Sequence, residues 1–412
     1  MRFIFSPSAS DASGLLTLPW REPLEDWSDD RLVEIHQRGV SRHVVRFVAE
    51  GGVVYALKEL HERLARKEYH LLRRLREVGV PAVEVLGIVV DRPGDLDAVL
   101  VTRFLDYSSS YRALFVSPRG ADLTGRLLDA LVELLVRLHL AGFMWGDCSL
   151  SNVLFRMDAG AFTAYLVDAE TSEMHPSLTD GQRRLDLDIT AERLAGDLLD
   201  LEAGDLLPEG PDPFSVADEA LRRYDALWSE LTHEEILFPA QQRYRIAERL
   251  RRINELGFDV DEVVLIEAGE GSRLRLTTRV AEPGHHRRLL FARTGLDVGE
   301  NQARRLLNDI AAFHGYLERV RGTPVPDVVA ATQWQTEVYE PVVRAIPAAL
   351  RGRLPEAEIF HEVLEHRWLL SEAAGRDIGT TVAANDYFTT ILPQVPAELT
   401  VVPPPRSGAP EA

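Results

Sequence analysis

The sequence predicts an α+β protein in which an antiparallel sheet comes first, a mainly helical region follows, and an α/β domain is appended at the C-terminal end. Two observations predict this order. One amphipathic helical segment, 63–79, is surrounded by five runs rich in β-branched residues, at 32–37, 41–50, 53–60, 83–90 and 98–105. From about residue 122 onward, apolar residues recur at helical spacing instead.

Glycines and turn residues set the limits of the N-terminal elements. Gly39 and the pair Gly51-Gly52 separate the first three runs, so an antiparallel meander is the simplest arrangement. Gly79 suits a helix C-cap, and Pro81 follows it. The stretch DRPGDLD joins the last two strands as a turn.

The helical pattern after residue 122 continues through 143, and a strand-loop-strand region (144–168) and another helix (188–204) follow. LPEGPDP, rich in proline, glycine and acid, predicts a linker at 207–213. Beyond it, helical patterns flank an alternating strand at 273–280, with which RRLLFAR is expected to pair. The predicted parts are an N-terminal segment 1–30, a sheet region 31–105, a helical region 106–207, a C-terminal domain 213–395 and a disordered tail 396–412.

Composition narrows the class of protein. A chain of 412 residues with 45% hydrophobic and 27% charged residues is an ordinary globular protein of two or three domains. Its net charge of −19 disfavours binding to nucleic acid or to an anionic membrane. Cys148 has no second cysteine to pair with, and the short apolar run at the N-terminus is not a signal peptide. We therefore expect a cytoplasmic protein without a transmembrane segment.

Five polar residues fall in an order that phosphoryl transfer requires: Lys58, Glu68, Asp147, Asn152 and Asp168. In such enzymes a lysine holds the ATP phosphates and a glutamate orients it, while one aspartate orients the attacking hydroxyl or takes its proton. An asparagine and a second aspartate hold Mg²⁺. Each residue alone is more often a solvated strand end or helix face. The ordered set on a strand-helix-loop background is far more specific.

The motifs around these residues resemble the protein-kinase-like superfamily, and in particular the bacterial lipopolysaccharide kinases that phosphorylate Kdo or heptose sugars. The stretches that carry the resemblance are ARKEYHLLRRLREVGVPAVEVLG, LHLAGFMWGDCSLSNVLF and LVDAETSE. It covers roughly residues 31–205, and the remainder looks like an uncharacterised domain fused to such kinases. The resemblance implies a two-lobed fold, with an antiparallel-sheet N-lobe (31–105) and a mainly helical C-lobe (106–207). It also implies ATP, Mg²⁺ and an acceptor hydroxyl on a sugar, lipid or other small molecule.

The chain departs from the protein-kinase pattern in several places. Trp145-Gly146-Asp147 replaces His-Arg-Asp, so no motif arginine can bind a phosphorylated activation loop. Ser149 stands where protein kinases usually have lysine, and Asp168 is followed by Ala169-Glu170. We expect Trp145 and Cys148 to pack in the core. Glu170 either contacts a second metal or is a surface acid, and we favour the surface acid.

The phosphate-binding loop is the weakest part of the pattern. RGVSRH has a single glycine, so Gly39 and Ser41 either cradle phosphate through backbone N–H groups or form an ordinary hairpin turn. Two other functions stay open: an atypical serine/threonine protein kinase, and a pseudokinase scaffold that binds nucleotide while its C-terminal domain regulates. HEVLEH is not a zinc motif, because His361 and His366 are five residues apart instead of four.

Overall fold

The computed structural model describes residues 1–5, 14–35, 42–115, 120–207, 212–232, 235–237, 260–267, 274–280, 284–395 and 401–402. Its chain divides into two compact units. The first unit consists of Met1–Arg156, Thr163–Tyr224 and Leu399–Ala412, and the second consists of Met157–Phe162 and Asp225–Glu398. Gly39 and Ser41 lie outside the described residues.

The first unit begins with a seven-stranded sheet in which every strand runs antiparallel to its neighbours. Its strands are β1 (Arg2–Phe5), β2 (Leu32–Ile35), β3 (Val44–Glu50), β4 (Val53–Leu60), β5 (Val85–Val90), β6 (Ala98–Arg103) and β15 (Val401–Val402), in the order β1-β5-β6-β4-β3-β2-β15. Helix α1 (Glu62–Glu77) lies between β4 and β5 in sequence. All five predicted strands are present, and β15 pairs with β2 inside the segment expected to be a disordered tail.

A helical region follows the sheet, as the kinase-like resemblance implies. Its helices are α2 (Tyr111–Phe115), α3 (Gly120–Leu140), α4 (Asp180–Ala203) and α5 (Pro213–Thr232). Its short strands are β7 (Ser108–Ser110), β8 (Phe143–Met144), β9 (Val153–Asp158), β10 (Ala161–Leu166) and β11 (Glu173–Met174). Helix α4 starts eight residues before the predicted 188, because Thr179 and Gln182 form a reciprocal capping box at its N-terminus.

The described residues of the second unit are mainly helical, which corrects the expected α/β domain. Its helices are α6 (His285–Thr294), α7 (Glu300–Arg321), α8 (Asp327–Trp334), a π-helical turn (Gln335–Tyr339), α9 (Glu340–Ala345), α10 (Glu356–Ala374) and α11 (Thr380–Thr390). One antiparallel sheet contains β12 (Glu235–Leu237), β13 (Val260–Glu267) and β14 (Leu274–Val280). RRLLFAR belongs to α6 and does not pair with β14; Gly284 and Gly295, both left-handed, delimit that helix and Leu290 is buried.

In the part of the chain that the structure describes, no helix is long and apolar enough to cross a membrane.

The N-terminal segment packs against the sheet through a buried aromatic cluster. Trp20 and Trp27 meet edge to face with ring centroids 5.1 Å apart, and Leu15 and Leu24 are fully buried beside them. Arg92, at the end of β5, fastens this segment: its Nε donates to the Trp20 carbonyl at 2.9 Å, and its guanidinium pairs with Glu59. The arginine side chain has no exposed surface.

Replacing Arg92 with alanine should therefore destabilise the first unit by about 3 kcal/mol, because it leaves the Glu59 carboxylate and several carbonyls without their buried partner. Urea unfolding followed by tryptophan fluorescence measures the change. Arg2→Ala is the matched control, since Arg2 pairs with Asp91 at the surface and should cost less than about 1 kcal/mol. Equal effects of the two substitutions would contradict the anchoring role of Arg92.

Candidate active site

Lys58 lies at the centre of a cluster of carboxylates. It sits on β4, between β3 and β6, and its side chain is 14% exposed. Its Nζ is 3.1 Å from Glu68 Oε2 and 2.7 Å from Asp168 Oδ2, and Glu170 Oε2 is 3.6 Å away. The structure thus brings Lys58 and Glu68 together with two acids, Asp168 and Glu170, that lie more than 100 residues further along the chain.

The local sequence explains why Lys58 and Glu68 meet. On β4, Leu57 and Leu60 are buried and fix the strand in the sheet. On α1, Glu68 shares the buried face with Ala65 and Leu72, three and four residues away. The carboxylate of Glu68 is 1% exposed, so it needs a counter-ion, and Lys58 supplies one.

The pKa values of this pair follow from their surroundings. Burial raises the pKa of Glu68, Asp168 adds to the rise, and Lys58 opposes it, leaving a pKa of about 7. Burial lowers the pKa of the Lys58 ammonium, but the charges of Glu68 and Asp168 outweigh burial and raise it overall. The raised pKa keeps the Lys58 ammonium protonated beside its two carboxylate partners.

Asp147 and Asn152 share one short loop. The Asn152 Nδ2 donates to the Asp147 carbonyl at 3.0 Å, and the Val167 N–H donates to the Asn152 carbonyl at 3.0 Å. The second bond ties the loop to the segment that carries Asp168, because Val167 is its neighbour. Since the amide nitrogen of Asn152 is engaged by Asp147, its amide oxygen is the atom left to face a ligand.

The oxygen donors here suit Mg²⁺. Asp168 offers a carboxylate and Asn152 an amide oxygen, both hard ligands, and Mg²⁺ usually completes its shell with water and substrate phosphates. Within the described ranges, no three histidine, cysteine, aspartate or glutamate side chains are grouped so that they could hold a metal ion. A metal at this site would accordingly depend on Asn152, Asp168 and the nucleotide, as a kinase requires.

Asp186, on α4, binds the backbone just before Asp147. It was not predicted from the sequence. Its two carboxylate oxygens accept the N–H groups of Trp145 and Gly146, each at 2.7 Å, and His139 Nε2 lies 3.0 Å away. Asp186 is fully buried. The sequence RRLDLDIT could have indicated a buried acid, because its first aspartate lies between leucines on the apolar face of a helix.

Two arginines beside Asp147 were also missed. Arg42 Nη2 is 3.3 Å from Asp147 Oδ2, and Arg193 Nε is 3.2 Å from Asp147 Oδ1. Neither arginine belongs to the Trp-Gly-Asp motif, so the prediction that no motif arginine binds a phosphorylated activation loop is not tested by these contacts. Both arginine side chains are mostly exposed, so neither is fixed by packing.

The remaining residues singled out in the sequence lie in different environments. Trp145 and Cys148 are buried as predicted, and burial raises the pKa of the Cys148 thiol well above its ordinary value. Glu170 is not the surface acid expected: its Oε2 is 2.7 Å from His43 Nε2 and it also faces Lys58. In the second unit, His361 pairs with Glu365 and His366 with Asp386, so the two histidines have different partners.

The buried lysine-glutamate pair, the Asp-Asn loop and the aspartate after β10 have the order and the residue types of a kinase-like site. Residues 27–191 match the lipopolysaccharide kinase (Kdo/WaaP) family, and residues 226–392 match a domain of unknown function (DUF4032). The match over residues 27–191 confirms the resemblance to the lipopolysaccharide kinases that is seen in the motifs of this part of the chain.

The solved structures similar to this chain include the following two. One is described as WaaP in complex with acyl carrier protein, with 19% identity over 62% of this chain and 99% of that chain, and a TM-score of 0.37. The other is an aminoglycoside-3'-phosphotransferase of type VIII, with 19% identity over 53% of this chain and 92% of that chain, and a TM-score of 0.36. A search of curated proteins finds no match. The kinase-like class therefore rests on the family match over residues 27–191.

The raised pKa of Glu68 gives a pH signature in stability. Because its folded pKa of about 7 lies above the ordinary 4.5, its contribution is present below pH 4.5 and is lost as pH rises through about 7. Glu68→Gln has no such titration, so its stability should improve relative to wild type across that range, by on the order of 3 kcal/mol.

Urea unfolding at several pH values between 4.5 and about 7 measures this difference. Glu77→Gln, at the exposed end of the same helix, is the control and should follow wild type at every pH. A difference between Glu68→Gln and wild type that does not change with pH would show that the pKa of Glu68 is not raised.

Proposed function

We propose that this protein is an ATP-dependent phosphotransferase that acts on a hydroxyl of a sugar, a lipid or another small molecule. The observation that carries the proposal is the position of Lys58, which lies within hydrogen-bonding distance of both Glu68 and Asp168. An ammonium held between two carboxylates can keep one partner and offer its remaining hydrogens to phosphate oxygens.

In this proposal Glu68 orients Lys58, and Lys58 binds the α- and β-phosphates of ATP. Glu68 is the buried partner, so it stays with the lysine, while Asp168 is 28% exposed and turns toward the nucleotide. Asp168 and Asn152 would hold Mg²⁺, which neutralises charge on the transferring phosphate. Gly39 and Ser41 remain candidates for the loop over the phosphates.

Asp147 is the proposed base or hydroxyl-orienting group. The acceptor oxygen attacks the γ-phosphorus, the bond from that phosphorus to the β–γ bridging oxygen breaks, and ADP leaves. The hydroxyl proton passes to the Asp147 carboxylate or follows the phosphate. Asp186 holds the backbone N–H groups of Trp145 and Gly146, so it sets the direction in which Asp147 points.

The choice of a small-molecule acceptor rests on the loop sequence and the family. Ser149 replaces the lysine that protein kinases usually have, and residues 27–191 match a family named for a lipopolysaccharide kinase. A serine/threonine protein kinase is the alternative within the same chemistry. Labelled phosphate from ATP would then appear in protein instead of in a small-molecule extract.

Asp147→Asn should lower phosphate transfer roughly a thousandfold, because the amide cannot accept the hydroxyl proton. ATP binding should change little, since Lys58, Glu68 and Asp168 are intact. The assay is transfer of label from ATP to a metabolite extract, with ATP binding measured separately by thermal shift. Asp188→Asn, an exposed aspartate on α4, is the control. Wild-type transfer by Asp147→Asn would remove Asp147 from the mechanism.

A pseudokinase scaffold is the second candidate, favoured by the single glycine in RGVSRH. A thermal-shift titration with ATP, with and without Mg²⁺, separates it from the enzyme. The enzyme should be stabilised more strongly when Mg²⁺ is present, and Asp168→Asn should lose that difference. Stabilisation independent of Mg²⁺, with no transfer to any acceptor, would instead favour the scaffold.

A further inference from the structure

A tight turn joins the two residues proposed to bind Mg²⁺. Strand β9 starts directly after Asn152, the chain reverses at residues 158–160, and β10 ends two residues before Asp168. The turn belongs to the second compact unit, which includes Met157–Phe162, whereas the flanking residues belong to the first. Whatever holds the turn therefore acts on both proposed ligands through the covalent chain.

Asp158 ties one side of the turn to a helix of the second unit. Its Oδ2 accepts the Asn301 N–H at 3.0 Å and its Oδ1 accepts the Gln302 N–H at 2.8 Å. These N–H groups lie in the first turn of α7, whose N-cap Gly299 supplies no side-chain cap. A carboxylate is well suited to this position, because helix N-termini carry unpaired N–H groups and a partial positive charge.

The sequence keeps room for Asp158. A Cβ atom added to Gly299 would lie 2.3 Å from the carboxylate carbon of Asp158, closer than any real contact. Asp158 itself is 4% exposed. Gly299 is therefore required for the close approach, and a methyl group there would displace the carboxylate from both of its N–H partners.

Glu358, on α10, holds the other side of the turn. Its Oε2 accepts the Ala159 N–H at 2.6 Å and its Oε1 accepts the Gly160 N–H at 2.8 Å. Ala159 has φ 56° and Gly160 has φ 72°, so two consecutive residues are left-handed and aim their N–H groups at one carboxylate. Alanine rarely adopts this conformation, and it persists here because surrounding contacts enforce it.

The helices that hold Asp158 and Glu358 are hydrogen-bonded to each other within the second unit. Gln302, whose N–H binds Asp158, donates its side-chain Nε2 to the Ala357 carbonyl at 2.8 Å. Ala357 precedes Glu358, so the first turns of α7 and α10 are bound to each other and to the turn. Glu358 is 2% exposed, and water does not compete for its contacts.

We propose that Asp158 and Glu358 are positioning residues for the metal site: by fixing the turn between β9 and β10, they set the separation of Asn152 and Asp168. The unassigned C-terminal domain would thereby have a direct part in phosphoryl transfer. The metal in this inference rests on the proposed function. The claim that Asp158 and Glu358 keep the two ends of the hairpin together does not. The Val167 N–H, bonded to the Asn152 carbonyl, reports directly on whether the two ends of the hairpin stay together.

The test uses the full chain with Glu358→Gln and, independently, Gly299→Ala. In Glu358→Gln the side chain keeps its size, but an amide nitrogen faces one of the two N–H groups. In Gly299→Ala the new methyl group displaces the Asp158 carboxylate, while residue 158 remains an aspartate. Glu372→Gln, an exposed residue near the C-terminal end of α10, is the matched control. Hydrogen exchange of the Val167 amide is measured for each variant, together with the Mg²⁺ concentration that gives half of the ATP-dependent thermal shift.

We expect both variants to raise that Mg²⁺ concentration by about tenfold, as loss of residues that orient metal ligands does. Stabilisation by ATP without Mg²⁺ should not change, and Val167 should exchange faster. A lower melting temperature with wild-type Mg²⁺ dependence and wild-type Val167 exchange would overturn the proposal. If wild type itself shows no Mg²⁺-dependent effect of ATP, the proposed function fails. Val167 exchange then decides the positioning claim alone: faster exchange supports it, and unchanged exchange overturns it.

Discussion

The buried charge of Glu68 is the constraint on which the candidate site depends. A carboxylate with 1% exposure is costly to ionise without a partner, and its raised pKa reflects that cost. Lys58, on strand β4, lowers this cost by pairing with Glu68, and its ammonium also pairs with Asp168. The sheet, helix α1 and the segment after β10 are thus joined by one series of ion pairs, and the proposed function places the phosphates of ATP at Lys58.

A second buried carboxylate organises the loop that contains Asp147. Asp186 binds two successive backbone N–H groups, and Gly146, left-handed with φ 77°, allows the chain to present both. The same device recurs at the turn between β9 and β10, where Glu358 binds two successive N–H groups. In both places a buried acid binds irregular backbone, because such backbone has no helix or sheet partners. Gly146 directly precedes Asp147, whereas Ala159 and Gly160 are connected to Asn152 and Asp168 through β9 and β10.

Arg42 and Arg193 show how the site differs from that of a regulated protein kinase. They come from outside the loop motif and are exposed, so solvent and ligands can compete for them. An arginine within a His-Arg-Asp motif would instead be placed by the loop itself. The Asp147 carboxylate is therefore paired with exposed cations, and under the proposed function an acceptor would compete with them.

The sequence by itself determined the antiparallel sheet, helix α1 and the order of Lys58, Glu68, Asp147, Asn152 and Asp168, because strand and helix periodicity and short motifs are local properties of a chain. It also indicated the family. Only the tertiary structure decided that Asp186, Arg42 and Glu170 surround this set, since their partners lie 41, 105 and 127 residues away. In the C-terminal part the error lay in the expected α/β class and in RRLLFAR, which has no strong period of its own and is a helix with left-handed glycines at both ends and Leu290 buried.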